Sequence, residues 1–181
     1  MRKDISQGDI TISLAHVLMK ACAIAIARQP EINSVMGNSK ILYFEQINIG
    51  VAGALKEGLI VPVIRDVTNK NLQNISQETT ELAEKARNGK LLPDDTAGGT
   101  FTISVLGSVD SFTPILNAGQ SAILGVGRSV EKAVVRGGSV VVREMMTISL
   151  TVDHQVIDGA VAAGFLRRLQ QNIERPAPLF K

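Results

Sequence analysis

Residues Thr147 to Ala160 read TISLTVDHQVIDGA. The first part of this stretch alternates between polar and apolar side chains, a period of two that predicts a β-strand with one buried face. The pair Asp158-Gly159 breaks the alternation, and the small residues of 160–163 then begin a helical pattern. The stretch therefore predicts a strand that turns directly into the last helix of the chain, which we expect over 159–174 with Pro176 beyond its end.

A histidine and a carboxylate bracket this predicted turn. His154 ends the apolar row of the strand, and Asp158 follows four residues later. An imidazole aimed from the end of a strand can serve as a general base, and a nearby carboxylate can fix the structure around it. A packed or exposed histidine fits the same spacing, because His-x-x-x-Asp pairs are common. The spacing alone leaves both interpretations open.

The composition is that of one globular domain with an aliphatic core. Of the 181 residues, 45% are hydrophobic but only 3% are aromatic, and the net charge of +2 gives no reason to expect nucleic acid or an acidic membrane surface. Cys22 is the only cysteine, so an intrachain disulfide is excluded and a reducing compartment is expected. No apolar run reaches the roughly 18 residues of a spanning helix, and we expect a soluble protein without a signal peptide.

The predicted elements follow the order helix, strands, helix, strands, helix, which indicates an α/β (α+β) domain with a mixed central sheet flanked by helices. The first helix is predicted to begin after Ser13 and to end before Pro30. The second is predicted to begin at Asn74, whose spacing to Gln77 is that of a capping box, and to end at 88–89.

Strands are predicted where short apolar or alternating runs lie between glycines and prolines. These runs are 41–44, 47–55, 59–64, 100–105, 121–126, 140–143 and 146–152. Gly137-Gly138 is the predicted turn between two of them, and 108–120 is a predicted loop. Residues 1–9 are predicted to be disordered or a remnant of expression, which leaves 10–181 as the domain.

Few side chains outside this turn suggest a catalytic or metal-binding role. The strand over 100–105 places a row of hydroxyls, among them Ser104, on one face, but such a serine is usually structural. His16 in the first helix and Cys22 among Ala and Ile are also interpreted as structural, and Arg65-Asp66 as a loop anchor. The two histidines lie far apart without an acidic cluster, so no metal site is expected.

Several strings, in one order, resemble a single protein family. Residues 153–159 read DHQVIDG, which resembles the signature DHRxxDG of dihydrolipoamide acyltransferases, the core components of 2-oxo acid dehydrogenase complexes. The strings GLIVPVIRD at 58–66, GGTFTIS at 98–104, and FTPI at 112–115 with QSAILGVG at 120–127 are similar to that family as well. The resemblance runs from about residue 10 to residue 180, whereas chloramphenicol acetyltransferase shares only the H-x-x-x-D-G part.

The resemblance implies a chloramphenicol acetyltransferase-like fold and an acyltransferase that moves an acyl group, acetyl by similarity, between dihydrolipoamide and coenzyme A. It makes His154 the general base and Ser104 the oxyanion donor, and it makes Asp158 a support that holds the turn through an ion pair. Coenzyme A and a lipoyl group are implied as substrates, without a metal. No residue is assigned to binding either of them.

The resemblance also implies an assembly. In this family the active site lies between neighbouring subunits of a homotrimer, with His154 from one and Ser104 from the other, and trimers form a cubic or dodecahedral core on the order of 24 or 60 subunits. The implied partners are a lipoyl domain and the decarboxylase and dihydrolipoamide dehydrogenase components. The implied compartment is the cytoplasm, or the mitochondrial matrix of a eukaryote, with no nucleic acid and no membrane.

Two departures from the family pattern leave alternatives open. Gln155 stands where the signature has Arg, so an ion pair of that side chain is missing or replaced. The chain begins just before a later helix of the family core, and we expect the domain to lack its N-terminal helix and strand and to assemble poorly. The alternatives are a structural core or assembly fragment without activity, and a small-molecule acetyltransferase that shares the fold.

Overall fold

The structure is a computed structural model that describes residues 5–7, 10–55 and 58–180. The helices in this part of the chain are α1 (Leu14–Ala27), α2 (Leu72–Arg87), α3 (Pro93–Thr96) and α4 (Gly159–Glu174). The strands are β1 (Ile5–Gln7), β2 (Ile10–Ile12), β3 (Ser34–Met36), β4 (Ile41–Tyr43), β5 (Ile49–Leu55), β6 (Gly58–Ile60), β7 (Val63–Ile64), β8 (Phe101–Val105), β9 (Ala122–Arg136) and β10 (Ser139–Val152).

Six strands form the central sheet, in the order β10-β9-β8-β5-β6, with β7 also paired to β5. β5, β8 and β9 run parallel to one another, whereas β6, β7 and β10 are antiparallel to their neighbours. The pairs β1–β2 and β3–β4 form two small separate sheets. The mixed sheet with its helices confirms the predicted fold class, and β10 is one of its edge strands.

The hydrophobic core lies on one face of the central sheet. Phe101 of β8 and Leu124 of β9 are fully buried there, in one cluster with side chains of α1, α2 and α4. The ring of Phe101 meets that of Phe165 in α4 edge to face, with the centroids 5.7 Å apart. The helices therefore cover this face, and the opposite face is left for the loop between β8 and β9.

The first helix begins after Ser13, as predicted. The backbone N–H of Ser13 donates to Nδ1 of His16 at 3.1 Å, so the imidazole takes the place of the glutamate or glutamine of a capping box. His16 is 7% exposed, and burial lowers the pKa of its imidazole. The structural interpretation of this histidine is confirmed.

Two predicted boundaries differ from the structure. Residues 5–7, within the stretch predicted to be disordered, form β1 and pair with β2, while 1–4 and 8–9 lie outside the described residues. Helix α2 begins at Leu72, ahead of the predicted start, because Oδ1 of Asn71 accepts from the N–H of Asn74 at 2.8 Å and caps the helix there. Leu72 is buried, so packing also holds the first turn.

The largest difference from prediction lies in the β9–β10 hairpin. The sequence predicts three strands over 121–152, whereas the structure has two, of 15 and 14 residues. Gly137 and Gly138, with φ of +59° and +80°, form the predicted two-residue turn. The hairpin extends well beyond the core, and its distal part, residues 129–146, is named the arm. Most of the arm is exposed on both faces, so it lacks the alternation that would have predicted it.

Candidate active site

Ser104 lies near the carboxyl end of β8, on the face of the sheet opposite to the core. Its neighbour Ile103 is 1% exposed within the core, so alternation turns the serine the other way. In the register of the sheet, Ser104 stands between Ala52 of β5 and Gly125 of β9. Because both neighbours are small, the serine is only half-buried. Its hydroxyl is thus placed to donate to a group bound on this face.

The loop between β8 and β9 covers the same face and is bonded to β10. The hydroxyl of Ser149 donates to the carbonyl of Phe112 at 2.5 Å, and the hydroxyl of Thr151 donates to the carbonyl of Pro114 at 2.6 Å. Ser149 and Thr151 belong to the polar side chains that alternate with apolar ones along β10. They hold the middle of the loop against the sheet, beside the strand that carries Ser104.

A buried network holds the end of the same loop. The hydroxyl of Thr102, two residues before Ser104, donates to Oε1 of Gln120 at 2.8 Å and accepts from Nδ2 of Asn117 at 2.9 Å. Nε2 of Gln120 donates in turn to the carbonyl of Gly99 at 3.0 Å. Thr102 is fully buried, and a satisfied buried network of this kind makes its surroundings rigid.

Gly125 allows the loop to approach the sheet closely. A Cβ at this position would lie 2.6 Å from Oγ of Ser149, 2.9 Å from Cδ of Pro114 and 3.2 Å from Cζ of Phe112. The ring of Phe112 therefore lies against Gly125, the direct neighbour of Ser104. Phe112 thus lies on the same face of the sheet as Ser104, over the neighbouring strand.

His154 lies in the tight turn that follows β10. The N–H of Asp153 donates to the carbonyl of Ser121 at 2.9 Å, which continues the strand pairing up to the residue before the histidine. Oδ1 of Asp153 accepts from the N–H of Gln155 at 2.9 Å, and its carbonyl accepts from the N–H of Ile157 at 2.9 Å. These bonds close the turn around His154, whose side chain is exposed.

Asp158 caps helix α4. Its Oδ1 accepts from the N–H of Val161 at 2.8 Å, which satisfies one of the free donors at the start of the helix. The ion pairs found among the described residues do not include Asp158. The carboxylate thus supports the turn as a helix cap, and the implied ion pair is absent from the described residues.

One chain does not bring Ser104 and His154 together. Ser104 lies level with Ser149, two strands away, and Asp153, just after the end of β10, is four residues beyond Ser149. By strand geometry the Cα atoms of Ser104 and Asp153 are about 16 Å apart. His154 is the next residue, with its Cα about 3.8 Å further along the chain. A direct hydrogen bond between the two side chains is out of reach within one chain.

The other side chains considered in the sequence analysis have structural roles. Cys22 is fully buried, and burial raises the pKa of its thiol. The guanidinium of Arg65 donates to the carbonyls of Asp94 and Ala97 at 2.9 and 3.2 Å, so it anchors a loop as predicted.

The described residues contain no cluster of ligands suited to a metal ion. No helix among them combines the length and hydrophobicity needed to span a membrane.

Two cavities lie elsewhere. One, of about 220 Å³, lies between α2 and the strands β5 to β7, and the other, of about 230 Å³, is lined by charged side chains around α2 and α3. Neither is lined by Ser104 or His154. Ser104 and His154 therefore lie away from both cavities, Ser104 on the face of the sheet that the loop covers and His154 in the turn after β10.

Sequence reasoning missed the residues that hold the loop over Ser104. These are Thr102, Asn117, Gln120, Ser149 and Thr151. The only feature of the sequence that pointed to these residues was the row of hydroxyls on β8 and β10. That row predicts a polar face but does not predict what the hydroxyls bind, because the partners belong to an irregular loop.

Comparison with known proteins matches this chain to one family. The family model described as 2-oxoacid dehydrogenases acyltransferase (catalytic domain) matches residues 1–181. The succinyltransferase component of the 2-oxoglutarate dehydrogenase complex of Bos taurus is 42% identical over 97% of this chain and 39% of its own length. The acetyltransferase component of the pyruvate dehydrogenase complex of Rickettsia felis is 38% identical over 98% of this chain and 44% of its own length. The chain thus spans about two fifths of the length of these relatives.

Solved structures agree with this match. The cubic core of a pyruvate dehydrogenase multienzyme complex and the dihydrolipoamide acetyltransferase of Azotobacter vinelandii each have a TM-score of 0.90 and 38% identity, over 96% of this chain and 73% of theirs. Chloramphenicol acetyltransferase, with a TM-score of 0.56 and 17% identity over 93% of this chain and 78% of its own, confirms the predicted fold alone. By the family model that matches its full length, this chain belongs to the 2-oxoacid dehydrogenase acyltransferases, as their catalytic domain.

Proposed function

We propose that this chain transfers an acyl group between dihydrolipoamide and coenzyme A, with His154 as general base and Ser104 as oxyanion donor. The observation that carries the proposal is the position of Ser104, half-buried between Ala52 and Gly125 under a loop that hydrogen bonds hold in place. A donor held by a rigid strand and a rigid loop is preorganised, as stabilisation of a developing oxyanion requires.

His154 acts on the thiol. A thiol with a pKa near about 8.5 is mostly protonated at neutral pH, so a base that takes its proton during attack accelerates the reaction by about 10²- to 10⁴-fold. The sulfur of coenzyme A or dihydrolipoamide forms a bond to the thioester carbonyl carbon while its proton passes to the imidazole. The bonds around Asp153 hold the turn, so the imidazole is carried on a fixed backbone.

Ser104 acts on the oxyanion. The carbonyl oxygen gains a negative charge in the tetrahedral intermediate, and the O–H of Ser104 donates a hydrogen bond to it. Removal of one such donor costs about 10²- to 10³-fold in kcat in other enzymes. Collapse of the intermediate breaks the bond to the second sulfur, which leaves as a thiol with the proton from His154. Asp158 stays outside the reaction and supports the turn by capping α4.

The Azotobacter vinelandii structure comes from an investigation of the role of a serine, a histidine and an asparagine in the catalytic mechanism of that acetyltransferase. The asparagine there follows the histidine by four residues, which is the spacing of His154 and Asp158 here. This agreement supports the assignment of His154. Asp158 is proposed to occupy the position of that asparagine, in the turn that carries His154.

The proposed enzyme works as an assembly. Ser104 and His154 are too far apart within one chain, so we assign them to neighbouring copies in a homotrimer that forms part of a larger core. The cubic core among the similar structures supports this arrangement. The proposed partners are a lipoyl domain and the decarboxylase and dihydrolipoamide dehydrogenase components of a 2-oxo acid dehydrogenase complex, in the cytoplasm or the mitochondrial matrix.

We propose acetyl as the acyl group. The relatives include both succinyl- and acetyltransferase components. In this chain the residues beside Ser104 are Ala52, Gly125 and the ring of Phe112, none of which carries a charge for the carboxylate of a succinyl group. A small uncharged acyl group suits these surroundings best.

The test is transfer from acetyl-coenzyme A to dihydrolipoamide. We expect Ser104→Ala and His154→Ala each to lower kcat by about 10²-fold or more, with unchanged far-UV circular dichroism. His16→Gln and Thr96→Ala, which change the other histidine and an exposed hydroxyl, are the matched controls and should keep the wild-type rate. Wild-type rates in both active-site variants would refute the assignment. An assembled but inactive wild type would indicate a structural core, and acetylation of chloramphenicol alone would indicate a small-molecule acetyltransferase.

A further inference from the structure

The cavity between helix α2 and the strands β5 to β7 has a volume of about 220 Å³. Val51 and Gly53 of β5 line one wall, and Ala83 and Ala86 of α2 line the other. Gly53 has no side chain and the two alanines have short ones, so the walls do not meet. A Cβ at Gly53 would have only the carbonyl oxygen of Ile60 within 4 Å, at 3.8 Å, which leaves room for a larger side chain.

The lining of this cavity is almost entirely apolar. Ile64 and Leu82 line it and also belong to the hydrophobic core, with exposed fractions of 2% and 8%. The hydroxyl of Thr79 donates to the carbonyl of Ile75 at 2.6 Å, so its proton is already engaged within α2. A bound water needs about two to four polar partners, and the described lining offers few of them. The cavity therefore suits an apolar group.

Arg87, the last residue of α2, adds a positive charge to this lining. Its side chain is exposed, and none of the ion pairs among the described residues includes it. A guanidinium can bind a carboxylate through two parallel hydrogen bonds. A ligand with an aliphatic chain and one carboxylate therefore matches both parts of the site, because its chain leaves water while its carboxylate stays at the surface beside Arg87.

The volume of the cavity limits the length of the chain. An apolar cavity of about 150 Å³ holds one benzene molecule. By proportion, a cavity of about 220 Å³ holds about eight or nine non-hydrogen atoms. This size corresponds to the chain of a straight carboxylic acid of about six to eight carbons, whose carboxylate remains at the mouth of the cavity.

The cavity lies behind the strand that stands beside Ser104. In the register of β5 and β8, Val51 pairs with Ile103 of the core, and Ala52 pairs with Ser104. Successive residues of a strand point to opposite faces, so Val51 and Gly53 face the cavity while Ala52 faces the side of Ser104. The sheet therefore separates a molecule in the cavity from the proposed active site.

We propose that this cavity binds a straight-chain aliphatic carboxylate of about six to eight carbons, with its chain between β5 and α2 and its carboxylate on Arg87. The acid binds at the same time as coenzyme A, because the two lie on opposite faces of the sheet. This second statement rests on the proposed function, which places coenzyme A on the face of Ser104. The cavity is thus a ligand site separate from that of acyl transfer.

Titration calorimetry with sodium octanoate tests the site. We expect a dissociation constant of about 0.1 mM, which is ordinary for a ligand of about ten non-hydrogen atoms. Gly53→Val fills the cavity and should weaken binding by at least about tenfold. Arg87→Gln removes the charge and should weaken octanoate binding by about the same factor, while its affinity for uncharged 1-octanol stays that of wild type. Octylamine, which has the same chain and the opposite charge, should bind wild type at least about tenfold more weakly than octanoate.

Gly107→Val and Arg168→Gln are the matched controls. They make the same changes at a glycine with space for a Cβ and at an exposed arginine, neither of which lines the cavity. Both proteins should bind octanoate as wild type does. Far-UV circular dichroism should be unchanged in all the variants, so that a loss of binding reports on the cavity and not on the fold.

The outcomes separate the cavity from the reaction. Wild-type affinity in Gly53→Val, or no binding to wild type at about 5 mM octanoate, would overturn the proposal. Wild-type affinity in Arg87→Gln would overturn it as well, because the carboxylate would then lie away from the guanidinium. Displacement of octanoate by saturating coenzyme A would place the acid on the substrate side and would also contradict the proposal. If octanoate binds as expected but the chain transfers no acyl group, the cavity site stands and the proposed function fails.

Discussion

Ser104 and Gly125 are direct neighbours in the register of β8 and β9, and the closeness of the loop to the sheet depends on the missing side chain of the glycine. In Gly125→Ala the new methyl group would lie 2.6 Å from Oγ of Ser149. We expect a loss of about 1–3 kcal/mol in the free energy of unfolding, measured in urea, together with slower acyl transfer, because the loop must shift away from Ser104. Gly107→Ala, where a Cβ meets no atom within 4 Å, is the control, and an equal loss there would contradict this explanation.

A site shared between copies makes two inactive variants complement each other. When Ser104→Ala and His154→Ala proteins are unfolded, mixed in equal amounts and refolded together, about a quarter of the sites at copy-to-copy contacts will combine an intact Ser104 with an intact His154. We expect acetyl transfer to recover to about that fraction of the wild-type rate. Each variant refolded alone is the control. If the mixture stays as inactive as its components, both residues act within one chain.

The cap at Asp158 can be separated from a catalytic role. Asp158→Ala removes the acceptor for the N–H of Val161 and should lower the free energy of unfolding by about 1 kcal/mol. Asp158→Asn keeps a capping oxygen without the charge and should retain most of the stability and the pH profile of kcat. If the Asp158→Asn protein were as inactive as His154→Ala, the carboxylate would instead take part in catalysis.

Burial of His16 gives the stability a pH dependence. Burial lowers the pKa of its imidazole below the unfolded value of 6.5, so the unfolded chain binds more protons as the pH falls below about 6.5. The stabilising contribution is therefore present above this pH and decreases as the pH falls through it. We expect the urea midpoint to drop between pH 7 and pH 5 by less in His16→Gln, whose side chain can still accept from Ser13. Identical pH dependence in the two proteins would show that other groups control it.

The ring of Phe112 should limit the size of the acyl group. It lies against Gly125 beside Ser104, so Phe112→Ala opens space next to the reacting carbonyl. We expect kcat/KM for isobutyryl-coenzyme A relative to acetyl-coenzyme A to rise by about tenfold. Ile115→Ala changes an apolar residue of the same loop that is 88% exposed and is the control. An unchanged ratio in Phe112→Ala would mean that the acyl group lies away from this ring.

The fold was predictable to the extent that burial leaves a pattern in the sequence. The last helix and β8 were predicted because the core selects apolar residues at fixed intervals, and α1 because Ser13 and Pro30 mark its limits. Helix α2 was predicted to start too late because two asparagines three residues apart both suit a cap, and burial of Leu72 decides between them. In the arm, the turn at Gly137-Gly138 and the strand over 140–143 were predicted, whereas the distal part of β9 was missed because it lies outside the core.

Of the proposed site, only the central residues were predicted from the sequence, and they were predicted through family resemblance. His154 and Ser104 belong to short strings that can be compared between proteins. The bonds from Ser149 and Thr151 to the loop join residues 37 positions apart. Such pairs depend on the register of β9 and β10, which no short pattern in the sequence predicts.

Cys22 is the single sulfhydryl of these 181 residues, and it lies fully buried in α1. An enzyme with the proposed activity meets a thioester in every turnover. A surface cysteine would be a third acceptor for the acyl group, open to self-acylation. Burial raises the pKa of the Cys22 thiol and keeps it from the solvent, so substrates meet no competing nucleophile of this kind in the chain.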